Sequence, residues 1–297
     1  MPREYEKMVT ISCINYHPVW GSTAANLEKM KSIAREAALQ GSNIIIFPEL
    51  ALSGYECDPE AVEGKKPCDT HRQAAELVPG PSTEEMAAVA REHGVYIVFG
   101  MPEQDRAKPR IRYISAAVVG PEGIMGTSRK LHLVPPPLGS EQTCFTPGSF
   151  IRLFDTKFGP IGVVICFDFW FYPELARLMA LKGARILVNP SASFSGPSKA
   201  SFMVRQTAAC ATSNGVCVAS ANLVGKEKTK SYYGHSCISA PNPPRLSFVD
   251  AEGSGKEEEI VSATIDLTRL DQMGAMLDWR KDRQAKLILD ELQELNL

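Results

Sequence analysis

Cysteine pairs of the C-x-x-C type are missing from this sequence, although it carries eight cysteines. That removes a zinc ribbon or a thioredoxin-type dithiol as the obvious reading. His17, His71, His93 and His235 show no metal-ligand spacing among themselves, and the sequence reading holds no metal. No apolar stretch approaches the roughly 20 residues needed to cross a bilayer. The opening MPREYEKMVT is too polar for a signal peptide. Charge of one sign is not in excess: 32 Lys and Arg face 34 Asp and Glu, for a net −2, and no basic block occurs. Attraction to nucleic acid or to a membrane surface is therefore not expected. A G-x-S-x-G elbow is absent, so a serine hydrolase is unsupported. The GSGK near position 255 is no phosphate loop, because the upstream glycine spacing is missing and Glu257 stands where Ser or Thr is required.

What remains is an ordinary globular composition, 44% hydrophobic and 22% charged. A chain of this length buries roughly three quarters of its surface and needs no staples. The cysteines are dispersed and no export signal precedes them, which points to reduced thiols and a cytoplasmic location. Cys13, Cys210, Cys217 and Cys237 lie among apolar or small residues and read as core positions.

The hydrophobic pattern alternates between two periods. Val9 to Asn15 reads as a strand. Asn26 to Gln40 puts Leu27, Met30, Ile33, Ala34, Ala37 and Ala38 on one helical stripe that Gly41 ends. NIIIFPEL is a short apolar run of the kind buried on both faces of a sheet. PSTEEMAAVAREHG reads as a helix with a capping box of Ser82 and Glu85, closed by Gly94. VYIVFG, YISAAVVG with the turn PEG, IGVVIC, ARILVNP, VCVASAN, GHSCIS and EIVSATID follow as strands. PELARLMALKG and SKASFMVRQTAACATSNG lie between them as helices. VDAEGSGKEEE is the expected flexible loop, and a charged helical tail follows Leu270. Strand and helix alternate from end to end, so the fold class is α/β with helices covering the sheets.

Ligands in such folds gather beyond the carboxyl ends of strands. Two chemically capable residues stand there: Glu49 after IIIFP and Cys166 after IGVVI. Lys130 lies in SRKLHLVPP, beside a proline-rich turn. Alone, each has a plain reading as a capping acid, a surface cation and a buried thiol. Together a carboxylate, an ammonium and a thiol form a reactive unit, since a base takes the thiol's proton and a cation favours the thiolate.

FPELALSGY, RKLHL and GVVICFDFWFYPE resemble, in order, the three signature blocks of the nitrilase superfamily, the carbon–nitrogen hydrolases. The likeness runs from about Val9 to about Asp266, and SEQTCFTPG and ILVNPSA match further family blocks. The resemblance implies a four-layer αββα sandwich. It implies a single hydrolase domain over residues 1–270, followed by a helical tail, 271–297, that contacts the partner of a homodimer or higher homo-oligomer. It implies Glu49 as general base, Lys130 as stabiliser of the tetrahedral intermediate, Cys166 as nucleophile and Glu141 as a supporting carboxylate. The oxyanion would be held by Lys130 and the Phe167 N–H. No metal or organic cofactor is implied.

The residues after the nucleophile are aromatic where carboxylate-binding members often have an Arg, which suggests an apolar, aromatic or cationic substrate group. Alternatively, these rings pack the core or an interface. Tyr55, His132, Phe167, Trp170, Asn189 and Ser191 are the candidate substrate-binding residues, although Asn189 and Ser191 could equally form a turn. Cys-Phe-Asp in place of Cys-Trp-Glu favours amides over nitriles. The expected reaction is hydrolysis of a small carboxamide through a cysteine thioester. An N-carbamoyl (ureido) amide hydrolase, a nitrilase and a catalytically silent binding member remain as alternatives. Two departures stand out: one extra residue between Cys166 and Pro173, and Ser213 where the family commonly has Glu.

Overall fold

The structure, a computed structural model, describes residues 4–64, 68–136, 138–243 and 248–295. Residues 1–3 of the expected domain and 296–297 of the expected tail lie outside it. In the first half of the chain, β1 (Met8–Asn15) leads into α1 (Thr23–Leu39) and β2 (Ile44–Ile46). Two short helices follow, α2 (Pro59–Glu63) and α3 (Asp69–Ala74). Next come α4 (Pro81–His93), β3 (Tyr96–Gln104), β4 (Arg112–Gly120) and β5 (Gly123–Arg129). The helix over α1 begins a turn earlier than its apolar stripe suggests, and Gly41 follows it at φ +94. The capping box does not form at Ser82. Instead α4 starts at Pro81, and Thr83 Oγ1 accepts the Gly80 N–H at 2.9 Å. Ser82 turns away to bond Glu76, at 2.8 Å through its N–H and 2.6 Å through its hydroxyl.

The second half holds α5 (Glu141–Cys144), β6 (Leu153–Phe154), β7 (Ile161–Val163), α6 (Phe167–Phe171) and α7 (Pro173–Leu181). Then come β8 (Ile186–Ser191), α8 (Lys199–Asn214), β9 (Cys217–Asn222), β10 (Val224–Lys226) and β11 (Ser231–Tyr233). β12 (Cys237–Ser239), β13 (Val249–Glu252), β14 (Glu259–Asp266), α9 (Thr268–Met276) and α10 (Ala285–Glu294) complete it. VDAEGSGKEEE is no free loop: its start is β13 and its last residue opens β14. Between them Glu258 pairs with Lys29 at 2.6 Å and accepts the His17 N–H at 2.8 Å. Those bonds replace water as partners and fix the connection.

Two six-stranded sheets form, ordered β14-β1-β2-β3-β4-β5 and β13-β12-β9-β8-β7-β6, with β10 and β11 as a separate ribbon. Each has three parallel central strands, β1-β2-β3 and β7-β8-β9, flanked by antiparallel ones. Strands β1 and β2 touch β9, and β3 touches β8, so the sheets pack face to face. Helices α1 and α4 pack together, with α1 against β2 and α4 against β3, β4 and β5; α7 covers β7, and α8 covers β9 and β12. The result is a four-layer αββα sandwich, and its apolar strands Ile44–Ile46 and Ile186–Val188 are fully buried because both faces are covered. Cys13, Cys217 and Cys237 are buried in that core, Cys210 is partly exposed, and all eight cysteines are free thiols. Among the described residues no helix is long and apolar enough to cross a membrane.

Candidate active site

Each sheet delivers its chemical groups just past the end of a strand. After β2 the chain turns at Pro48 and Glu49, and the turn is fastened to β3: Phe47 N–H donates to Val98 O, and Gly100 N–H to Pro48 O. The approach is so close that a Cβ on Gly100 would lie 2.3 Å from Leu50 N and 2.4 Å from Pro48 O. Glycine is therefore required there to hold Glu49 in place. Lys130 follows β5 and is anchored at both backbone groups, to Ile114 O and to the Gly148 N–H. Glu141 opens α5.

These three side chains meet in the interior. Lys130 Nζ donates to Glu49 Oε1 and to Glu141 Oε1, each at 2.7 Å, and Lys130 and Glu49 are both 0% exposed. The second oxygen of Glu141 accepts the Val134 N–H at 2.9 Å, and Tyr55 Oη donates to the first at 2.5 Å. Burial opposes the charge on Lys130, but Glu141, Glu49 and Cys166 outweigh it and leave its pKa above the ordinary value. Burial raises Glu49 to about 7, against the pull of Lys130 and with the push of Glu141. Its Oε2 is buried and has no partner of hydrogen-bond geometry, yet the Cys166 thiol lies near enough to act on its titration.

Cys166 closes the second sheet's contribution. The run IGVVIC is a strand only to Val163, although the Val164 N–H still bonds Val188 O at 3.0 Å. Cys166 itself sits at φ +47 and ψ −104, a strained conformation for a residue with a side chain. Two anchors impose it. The Cys166 N–H donates to Asn189 Oδ1 at 2.9 Å, and its carbonyl accepts from the Phe169 and Trp170 N–H groups as α6 begins. Burial and Glu49 push the thiol up to about 12; Lys130 and the Ala192 N–H pull the other way without prevailing. The cation beside the thiol favours the thiolate, as the residue types suggest, but does not offset burial. Glu49, which interacts with the thiol, stands beside it as a group able to accept its proton.

The structure brings Glu49, Lys130, Cys166, Glu141 and Tyr55 together, and it separates other candidates. His132 is stacked on Tyr172 at 3.5 Å with Nδ1 2.7 Å from Asp168, and it lines a different cavity with Leu131, Gln142 and Phe145. Asn189 and Ser191, expected to face substrate, are 0% exposed and committed to the framework. Asn189 holds the Cys166 N–H, Ser191 Oγ and, through Nδ2, Ser220 Oγ at 3.1 Å. Trp170 packs between Phe169 and Phe202 rather than presenting a free face, and its indole N–H is buried without a partner. Phe167, the first residue of α6, is half-buried against Phe171 and Tyr172, and its backbone N–H has no intrahelical acceptor.

Two residues that sequence reasoning did not assign hold the site. Asp168 accepts the Leu131 and His132 N–H groups at 2.7 and 2.9 Å, pinning the segment that carries Lys130 to the helix that follows Cys166. Glu227 accepts the Tyr55 and Glu56 N–H groups, both at 2.9 Å, and orients Tyr55. A cavity of about 410 Å³ opens beside Tyr55, walled by Glu56, Cys57, Ser140, Thr229 and Lys230. Neither tether was visible in the sequence, since a carboxylate's backbone partners depend on contacts across the fold.

A carbon–nitrogen hydrolase family profile matches residues 10–275. The chain is 34% identical over 282 residues to a nitrilase of Pyrococcus abyssi, covering 94% of this chain and 98% of that one. It is 36% identical over 273 residues to omega-amidase NIT2-B of Xenopus laevis, covering 88% and 90%. A crystal structure of a carbon–nitrogen hydrolase from Helicobacter pylori G27 superposes with a TM-score of 0.83 at 25% identity, covering 96% of this chain and 98% of the other.

Proposed function

Because the chain belongs to the carbon–nitrogen hydrolase family, we propose that it hydrolyses a small carboxamide to a carboxylate and ammonia through a cysteine thioester. The observation that carries this reading is the buried bridge of Lys130 between Glu49 and Glu141, 2.7 Å to each, with the Cys166 thiol beside Glu49. Glu49, with a pKa raised to about 7, is substantially ionised at neutral pH and accepts the thiol proton as sulfur attacks the amide carbon. Lys130 and the Phe167 N–H stabilise the oxygen as it gains charge. One such donor in a dry site is worth about 3–4 kcal/mol. Glu49 then returns its proton to the departing ammonia. Water, deprotonated by Glu49, cleaves the thioester and releases the acid.

Glu141 acts on Lys130 and does not exchange protons with substrate. It aims the ammonium and, with Glu49, keeps it charged. The cavity beside Tyr55 would receive the acyl group, and Lys230 on its wall, 3.8 Å from the Phe194 ring centre, would meet the substrate's far end. The likeness to an omega-amidase and the Asp168 two residues past the nucleophile both support an amide over a nitrile. We place the protein in the cytoplasm, as its free thiols suggest. We also infer self-association through the tail, where Leu287, Ile288, Leu289 and Leu292 of α10 are each about half exposed.

Purified protein incubated with carboxamide, ureido and nitrile panels should release ammonia from carboxamides, with an acyl adduct on Cys166 by mass spectrometry. Carbon dioxide released together with ammonia would move the assignment to ureido substrates, and turnover of nitriles alone would overturn it. Light scattering after chromatography tests the oligomer.

A further inference from the structure

Three cysteines far apart in sequence meet in the interior, and one of them, Cys57, walls the cavity beside Tyr55. Cys57 and Cys144 are 87 positions apart, and their sulfurs lie 2.9 Å from one another. Cys68 joins them, and all three sulfurs lie within 4.8 Å of one another, each residue buried. Random burial of small hydrophobes does not explain the polar surroundings. The Asp58 N–H donates to Cys68 Sγ at 3.2 Å, and the Cys68 N–H donates to Cys144 Sγ at 3.3 Å. Backbone N–H groups aimed at sulfur favour the thiolate over the thiol. Arg112 and Lys230 lie near enough to interact electrostatically with Cys144 and Cys57, and the Cys68 thiol donates to Asp58 Oδ2 at 3.1 Å, so charge of both signs faces the cluster and zinc would displace that thiol proton.

His71 supplies an independent observation. It is 0% exposed, its Nε2 lies 3.1 Å from Tyr55 O, and its Nδ1 is buried with no partner. Donation from Nε2 to a carbonyl fixes the tautomer and leaves Nδ1 with an unused lone pair, the arrangement that metal-bound imidazoles adopt. His71 stands three residues after Cys68, and its ring packs on Phe145, the neighbour of Cys144, with centres 5.0 Å apart. It lies outside the tight sulfur group, so it would close onto the ion from the side of α3.

We propose that Cys57, Cys68 and Cys144, completed by His71, form a structural zinc(II) site. Zinc–sulfur bonds of about 2.3 Å around a tetrahedral centre set sulfur–sulfur separations near 3.8 Å. The cluster's spacings, from 2.9 Å to below 4.8 Å, bracket that value. A disulfide would use two of the sulfurs, leave Cys68 bonded only to Asp58, and leave the His71 lone pair unused. Binding exchanges three thiol protons, released to solvent, for one Zn2+, and the residual single negative charge faces Arg112 and Lys230 as well as the Asp58 carboxylate beside Cys68. Cys57 lies two residues past Tyr55, and Cys144 ends the helix that Glu141 begins. The ion would therefore clamp the two segments whose Tyr55–Glu141 bond supports Lys130.

The full chain, purified under reducing conditions, is tested with Zn(II) and Cd(II), independently of any amide substrate. One zinc per chain by elemental mass spectrometry is expected, along with a cadmium–thiolate absorption band that saturates at one equivalent. Cys68→Ser should weaken zinc binding about 100-fold or more, and His71→Asn about 10- to 100-fold. Cys210→Ser should leave it unchanged, with circular dichroism confirming the fold of each. Zinc should raise the Tm of the wild type and not of Cys68→Ser. Folded wild-type protein that binds neither metal would overturn the proposal. So would saturation unchanged by Cys68→Ser, or a Cys57–Cys144 disulfide that forms in air even with zinc present.

Discussion

The two sheets share a strand plan and divide the chemistry between them. The first sheet supplies charge: Glu49 past β2 and Lys130 past β5, with Glu141 close by, all buried and mutually bonded. The second supplies sulfur: Cys166, held in a strained turn by Asn189 of β8 and by α6. The charged half is an electrostatic assembly, in which removing one member leaves others buried and unpaired. The sulfur half is a geometric assembly, in which the side chain itself bears little weight. The same loss of turnover should therefore come with very different costs to the fold.

Cys166→Ala should sharpen the contrast most. We expect turnover to fall by about 10⁴-fold or more, with a thermal midpoint close to wild type by calorimetry. A large drop in that midpoint would show that the thiol holds the fold together, against the division drawn above. Lys130→Met should reduce turnover by about 10³-fold and also cost about 3–5 kcal/mol in urea unfolding, because two carboxylates lose their buried cation. Unchanged stability in that variant would show that the two buried carboxylates do not depend on their cation.

The pH profile separates the halves without mutation. In the proposed mechanism Glu49, raised by burial to about 7, is the base, while burial and Glu49 push the thiol up to about 12. The ionised carboxylate is the active form, so kcat/KM should rise as pH climbs through about 7 and level off above it. At pH 5 it should stand about 100-fold below that plateau. A limb that keeps rising into the alkaline range would assign control to the thiol instead. Gly100→Ala should displace the Glu49 turn, with a stability loss of about 1–3 kcal/mol and a lower kcat. Asn189→Ala removes the acceptor of the Cys166 N–H. It should cost about 1–3 kcal/mol and lower kcat more than it changes KM.

Much of this was legible beforehand, for definable reasons. Period-two and period-3.6 patterns located the strands and the long helices, because burial on one or both faces leaves a local mark in the chain. The reactive trio could be read because each member stands at a punctuation point: a proline after IIIF, a proline-rich turn after RKLHL, an abrupt end to IGVVI. Short helices such as α2, α3 and α6 left no periodic trace. Asn189 and Ser191 looked like pocket residues, since a polar residue at a strand end has the same sequence whether it faces substrate or backbone. Cys57, Cys68 and Cys144 were hidden because they follow no spacing rule.

The α/β class, the buried strands, and the choice of a chemically capable carboxylate, ammonium and thiol all follow from local pattern and residue type. It took the folded chain to place Lys130 between two carboxylates, to bury Cys166 so that its thiol is pushed up, to make tethers of Asp168 and Asn189, and to bring three distant thiols together. Those facts depend on distances between segments far apart in the chain, and on how far water is excluded between them.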